Sequence, residues 1–406
     1  MFRIDWIQHP VGHGGFHSGE VWEGNHNIFN WVFDCGSQQV GKFQRYLKSW
    51  AVTHRGPIDW LFISHFDADH VNGLDTLMAR AVVRHVMVPY VNERELLYLV
   101  LREIGRGNLD RAFFELVADP ASFFLSRGAE SVTFLNGGRL RDGPRDPEAP
   151  PKKDPDGLCT TISPEPQTLR PRIRRVGQTA DARVREIDAS SCDVAITKGA
   201  FGLRLKPYRA PIAATDKKDL LRALLKLIGS VPRIRLRPGL GGLAFAIARH
   251  ARTDLGRRQL RSIFKAHAGS SNRSSLSLMS IPVTDELKDT DWWVSHSYFH
   301  PGGEGAPGWM NTGDAELLKA IDLDDWKACY ALDLPSVRVL ALPHHGSDKN
   351  SDKGLQDLCR SAVLPVHVRS AASKHPGPNV MAAAGWRLQP VTEQKTSLFR
   401  MKFCQS

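Results

Sequence analysis

The stretch SHFDADHVNG, residues 64–73, places His65, Asp67, Asp69 and His70 within six positions, with nothing bulkier than Phe66 between them. It follows the apolar run IDWLFI, which reads as a buried strand, and it precedes small residues that let the backbone bend. In an extended segment residues i and i+2 point the same way, so His65, Asp67 and Asp69 are expected to share a side. A turn after Asp69 then brings His70 round. Imidazole with carboxylate is the donor set of zinc, and of manganese or iron where the shell is richer in oxygen. One loop cannot enclose an ion alone, so further ligands are expected at other strand tips. WMNTGDAE offers Asp314, and VRVLALPHHGS offers His344 and His345 at the end of a strongly apolar strand.

Around these tips the chain alternates strand and helix. A strand from MFRIDWIQ, a Gly/His turn GHGGFHSG and a second strand HNIFNWVFDCG open it, and a helix over 40–52 follows. That alternation predicts an α/β layered architecture. The strand-rich first hundred residues and the strand-rich part after Asn272 read as two halves of one fold in a single domain, 1–406. The segment 100–268 between them reads as an insertion, with a mobile loop at 139–157 where Pro, Gly and charge accumulate.

The 406 residues carry a net charge of +11, and the excess is local. Between Arg222 and Lys265 eleven Lys and Arg face one acid, Asp254, so this segment alone carries +10. Arg233, Arg235, Arg237, Arg257, Arg258 and Arg261 are therefore candidates for contact with a polyanion such as nucleic acid. Six scattered cysteines show no CxxC spacing, which argues against a zinc ribbon or a disulfide framework. No run is long and apolar enough for a membrane span, and no basic-then-apolar leader opens the chain; a cytoplasmic protein without membrane contact is the expectation. There is no GxSxG. The GLGG at 239–242 lacks the Lys-Ser/Thr that a phosphate-binding loop requires.

The three motifs together, H-x-D-x-D-H after a strand, then TGD, then PHHGS, resemble the metallo-β-lactamase fold. More closely they resemble the branch containing the nuclease domain of the DNA-uptake protein ComEC and its stand-alone relatives. Asp34 and Gly36 at the end of an early strand, SSNRSSLSL (270–278) and SKHPGP (373–378) extend the resemblance, in islands, over about residues 5–400. It implies a four-layer αββα sandwich, here with a basic helical insertion, and a metal site at one edge of the two sheets. It also implies one or two divalent ions, Zn²⁺ or Mn²⁺ with Mg²⁺ possible, and a metal-bound hydroxide that attacks a phosphodiester, ester or amide.

On this resemblance the metal ligands are His65, Asp67, Asp69, His70, Asp314 and His344, with Asp34 in support. Asp69 orients the attacking water or accepts its proton, and His345 and His375 are candidates to protonate the leaving group. Asn272 and Ser275 could hydrogen-bond a substrate oxygen or equally cap strand ends. Two departures stand out. Asp67 occupies the place of the family's second His, which favours a harder ion at that position. The middle His ligand is missing, and His296 or His300 could supply it. His9, His13, His17 and His26 lie in a Gly-rich turn that could overhang the site, and are assigned packing or surface roles. The expected function is hydrolysis of phosphodiester bonds in DNA or RNA, with partner proteins docking on 100–268. The alternatives are a hydrolase of a small ester, thioester, lactone or cyclic nucleotide, and a metal-poor subunit of a larger assembly.

Overall fold

Trp31, Phe33, Trp60 and Phe62 enter one hydrophobic cluster, whereas Val32 and Leu61 between them enter another. This period-two sorting places a sheet between two apolar layers. The computed structural model of the chain describes residues 1–91, 99–100, 103, 110–137, 159–163, 181–188, 192–210, 218–230, 246–247, 249–250, 253–266, 275–283, 290–294, 306–318, 320–371 and 374–405. Its described strands, in chain order, begin with β1 (Phe2–Gln8), β2 (Gly14–Glu23), β3 (His26–Ser37), β4 (Ile58–Phe62), β5 (Val83–Pro89) and β6 (Ser131–Asn136). Next come β7 (Cys159–Ser163), β8 (Val184–Asp188), β9 (Asp193–Lys198), β10 (Phe201–Arg209), β11 (Leu276–Val283) and β12 (Thr290–Val294). The last are β13 (Gly308–Asn311), β14 (Val337–Ala341), β15 (Leu364–His367), β16 (Leu388–Val391) and β17 (Phe399–Gln405).

Two sheets form the centre. The first runs β12-β17-β1-β2-β3-β4-β5-β6-β8, and the second β14-β13-β11-β10-β9-β7; β15 and β16 pair separately. Ile4, Trp6 and Phe62 of the first sheet meet Leu203, Leu278 and Trp309 of the second in a shared apolar layer. On the outer face of the first sheet lie Phe43, Leu47 and Trp50 of the helix Val40–Thr53. Against the second sheet lie Trp326 and Tyr330 of the helix Ala320–Tyr330, with Leu355 and Val380. The layers are helix, sheet, sheet, helix: the metallo-β-lactamase architecture.

The described parts of 100–268 contribute strands to both sheets. β6 and β8 close one edge of the first sheet, while β10 pairs with β11 near the middle of the second. Leu224 and Ile228 of the helix Lys218–Gly229, and Leu260 of the helix Asp254–Ala266, sit in the outer cluster of the first sheet. The loop at 139–157 lies outside the described residues. Among the described residues the free cysteines are Cys35, Cys192, Cys329, Cys359 and Cys404, and no helix is long and apolar enough to cross a membrane.

β3 and β4 run parallel, as do β13 and β14, so each pair delivers its C-terminal residues to one edge. The polar tips meet there.

Candidate metal centre

Asp34 is the first residue fixed at this edge. Phe16 pairs with Cys35 and His17 with Phe33, which leaves Asp34 as the extra residue of a bulge with φ +59°. The bulge turns its carboxylate toward the next strand. Oδ1 accepts from the Ser64 backbone N–H at 2.7 Å; Oδ2 accepts from Ser64 Oγ at 2.6 Å and lies 2.8 Å from His70 Nδ1. His70 Nδ1 therefore carries a proton, and its Nε2 faces the centre.

After Ser64 the extended backbone lasts only to Asp67. A helical turn, Ala68–Val71, begins two residues earlier than the sequence spacing suggests. Asp69 is consequently swung away from the side that His65 faces, contrary to the i, i+2 expectation. His65 Nε2 lies 3.7 Å from Asp67 Oδ2 and 3.5 Å from Asp314 Oδ2, and His70 Nε2 lies 3.4 Å from Asp314 Oδ1. His65, His70 and Asp314 thus form one group that could hold an ion.

Asp69 belongs to a second such group, with His345 and His13. Asp69 Oδ2 lies 3.7 Å from His345 Nε2 and 3.9 Å from His13 Nε2, and it accepts a hydrogen bond from Gln38 Nε2 at 3.1 Å. Asp314 stands between the groups: its Oδ1 is also 3.9 Å from His345 Nε2, and its Oδ2 is 3.7 Å from His344 Nε2. Ser275 holds Asp314 in place, its Oγ accepting from the Asp314 N–H at 3.0 Å and lying 3.5 Å from His65 Nδ1. Here it sets a carboxylate, the capping role at a strand end.

The HHG pair is placed by unusual backbone. His344, His345 and Gly346 all have positive φ, 49°, 58° and 74°. For residues with a Cβ this is uncommon and costly, of order 1–3 kcal/mol each. It sends His345 inward, where it is buried, and leaves the His344 side chain 31% exposed at the mouth. His344 Nδ1 is 2.8 Å from Asn350 Oδ1, and the Asn350 amide also donates to the Asp314 carbonyl. His375 stands at the rim, its ring 5.6 Å from that of His344 and 5.7 Å from that of His13.

The donors fit a divalent ion. His65 Nε2, His70 Nε2, Asp314 Oδ1 and His345 Nε2 are all buried without a hydrogen-bond partner. Each unmet buried polar atom costs about 1–3 kcal/mol, so three in one group and a fourth in the adjacent one call for occupants. Four ligands at about 2.1 Å around a tetrahedral ion stand roughly 3.4 Å apart, which the shortest donor separations here match.

Charge agrees with geometry. Burial works to raise Asp314, but the His70, His344 and His65 imidazoles outweigh it and hold the carboxyl well below the usual range. Asp69 is likewise held down, His345 and His70 outweighing burial. Burial would lower His70, yet Asp314 and Asp34 raise it well above an ordinary histidine. The metal-free centre thus holds a proton on His70 at neutral pH. That proton stabilises the metal-free fold below the ordinary histidine pKa, and the contribution is lost as pH rises through the raised value. An entering cation must displace it, so metal affinity should rise with pH through the same range. Calorimetric titration of metal in buffers of differing ionisation enthalpy should register proton release at neutral pH; buffer-independent heats would contradict this assignment.

Glycines let the strands close around the centre. A Cβ on Gly15 would lie 2.6 Å from His70 Nδ1 and 2.8 Å from Asp34 Cβ. Gly15→Ala should push His70 off Asp34 and destabilise by about 1–3 kcal/mol, the usual range for overpacking. Thermal melts and metal titration would register both effects. Behind Asp314 and His70 a cavity of about 40 Å³ opens between the sheets, lined in part by Gln8, His17, Thr312 and His367. It has room for roughly two or three waters.

Of the other expected residues, Arg258 is exposed on the helix Asp254–Ala266. The side chains of Arg257 and Arg261 on that helix, and Arg233, Arg235, Arg237, Asn272, His296 and His300, lie outside the described residues. Gln38 escaped the reading of the sequence, and His13 was assigned there to packing or the surface. Gln38 had no motif to mark it. His13 did have one, a histidine between two glycines.

Residues 18–132 match the model of the Metallo-beta-lactamase superfamily. No curated protein matches the chain. The fold, this match and the two His/Asp groups point to a metal-dependent hydrolase.

Proposed function

We propose that the protein hydrolyses phosphodiester bonds of a nucleic acid. The observation that carries this reading is Asp314, whose two carboxylate oxygens face two adjacent His/Asp groups. Paired ion positions sharing a carboxylate suit in-line displacement at phosphorus, where attacking and leaving oxygens both need support. Divalent ions bound there would lower the pKa of water toward neutrality and offset charge on the phosphate oxygens.

The chain's own residues supply the rest. Asp69 is held so strongly ionised that it orients the attacking water by accepting a hydrogen bond and does not store its proton. His344 and His375 line the mouth where the leaving oxygen would emerge. His375 is lowered by burial and by its His344 neighbour; a phosphodiester placed beside it would favour the protonated form that donates to the leaving group. A polymer substrate gains support from the +10 segment between Arg222 and Lys265. The ComEC-like motifs HFDADH, TGD and PHHGS support the same substrate class.

The test is metal content of the pure protein, followed by cleavage of labelled single- and double-stranded DNA and RNA with Mn²⁺, Mg²⁺ or Zn²⁺. Asp69→Ala and His345→Ala serve as controls. Metal-dependent cleavage lost in both variants is the expected result. Bound metal with hydrolysis only of small esters or cyclic nucleotides would replace the polymer by a small substrate. Protein that takes up no metal would make the chain a non-catalytic subunit.

A further inference from the structure

We propose that His13, from the turn between β1 and β2, is a direct metal ligand, completing with Asp69 and His345 an ion position that prefers a borderline ion such as Zn²⁺ or Co²⁺. The inference rests on the metal-dependent reading above and specifies its chemistry. His13 Nε2 and His345 Nε2 stand 3.9 and 3.7 Å from the same oxygen, Asp69 Oδ2, so three donor atoms border one small space. The two imidazole rings lie with centroids 3.7 Å apart, and both side chains are buried. Two desolvated imidazoles aimed at one carboxylate oxygen make poor packing for their own sake. They make a good N₂O donor set.

The turn is built to hold this ring. The His13 backbone N–H donates to Gln39 Oε1 at 2.9 Å, and its carbonyl accepts from the Gln38 N–H at 2.7 Å, clamping the turn to the end of β3. Gly12 has φ +74°, and a Cβ there would lie 2.2 Å from Gln39 Oε1; one on Gly14 would lie 2.4 Å from the Gly36 carbonyl. Only glycine on both sides lets the turn come this close. The chemistry differs between the two positions. Around Asp69 the donors are two imidazoles and carboxylate, which select borderline transition ions. Around His65, with Asp67 in place of an imidazole, the set is richer in oxygen and suits a harder ion.

The test titrates metal-stripped full-length protein with Co²⁺, read by visible absorption and by chelator competition, in wild type, His13→Ala, His13→Gln and Asp314→Ala. Wild type should show two binding events. In both His13 variants the tighter should weaken by at least the roughly 10–100-fold that loss of a supporting group costs. The other should stay within a few-fold, and this retained event certifies that the variants are folded. Both events unchanged in both His13 variants, with binding abolished in Asp314→Ala, would overturn the role of His13 while leaving the metal centre standing. A wild type that binds no Co²⁺ at either position would overturn the metal-dependent reading itself, and this inference with it.

Discussion

Replacing Asp314 by alanine should abolish metal binding at both positions and reduce any hydrolytic rate by about 10³-fold or more. The magnitude follows from losing several kcal/mol of transition-state charge stabilisation, each 1.4 kcal/mol being tenfold. Asp314 is singled out because, among the described residues, its carboxylate reaches both groups, within 3.4–3.9 Å of His65, His70, His344 and His345. Its backbone is held by contacts that alanine keeps: the N–H bond to Ser275 and the carbonyl bond from Asn350. The strand tip should therefore survive, so that lost function reports lost ligation. Elemental analysis after metal reconstitution checks this directly. Near-stoichiometric metal retained by Asp314→Ala would show that the carboxylate is not shared, and the two-ion reading would go with it.

The consequence for the metal-free fold has a definite sign. Asp314 and Asp69 are depressed carboxylates, so each contributes stability above the ordinary Asp pKa that is lost as pH falls through its lower folded value. His70 contributes in the opposite direction. The metal-free protein is accordingly stabilised by a pairing of fixed negative charge with one mobile proton, and a divalent cation replaces that proton with stronger ligation. This explains how four buried donor atoms without hydrogen bonds are tolerated at one edge of two sheets.

Much of this was legible in the sequence because strands announce their tips. An apolar run that stops at a charged residue can only deliver that residue to a sheet edge, which is how His65, Asp314 and the His344–His345 pair were found. The continuous apolar run IDWLFI likewise marks a strand covered on both faces, and its residues do divide between two clusters. The conformation of single residues was not legible. That the helical turn starts at Ala68 depends on tertiary packing under Gly36, whose Cβ position would lie 2.6 Å from the Asp69 backbone. Nor does the sequence tell that His345 points inward and His344 outward; three successive positive φ values decide that. His13 was given a packing or surface role because Asp69 and His345 lie more than fifty residues away in sequence. The flanking glycines were the available signal, a backbone kept bare for close approach.

Asp34→Asn should separate ligation from folding. Asp34 sits at φ +59°, a region that asparagine tolerates well, so the bulge in β3 should be retained. In the native protein its carboxylate accepts from the Ser64 N–H, from Ser64 Oγ and from His70 Nδ1. An asparagine that keeps its oxygen on the Ser64 N–H must turn its NH₂ toward His70, and the imidazole can then accept only with Nδ1 unprotonated. The proton moves to Nε2, the atom that faces Asp314 and would ligate an ion. Metal affinity should fall about 10–100-fold, as for other losses of an orienting partner, while the metal-free protein loses only the stability that the Asp34 charge gives the His70 proton. Asp34→Ala should lose both: affinity for the same reason, and stability by roughly 1–3 kcal/mol for each donor left unsatisfied in the interior. Chelator competition and thermal melts on the two variants give the comparison. If Asp34→Asn binds metal as wild type does, the tautomer of His70 is set by something other than this carboxylate, and the part of Asp34 is reduced to holding Ser64 and β4 in register.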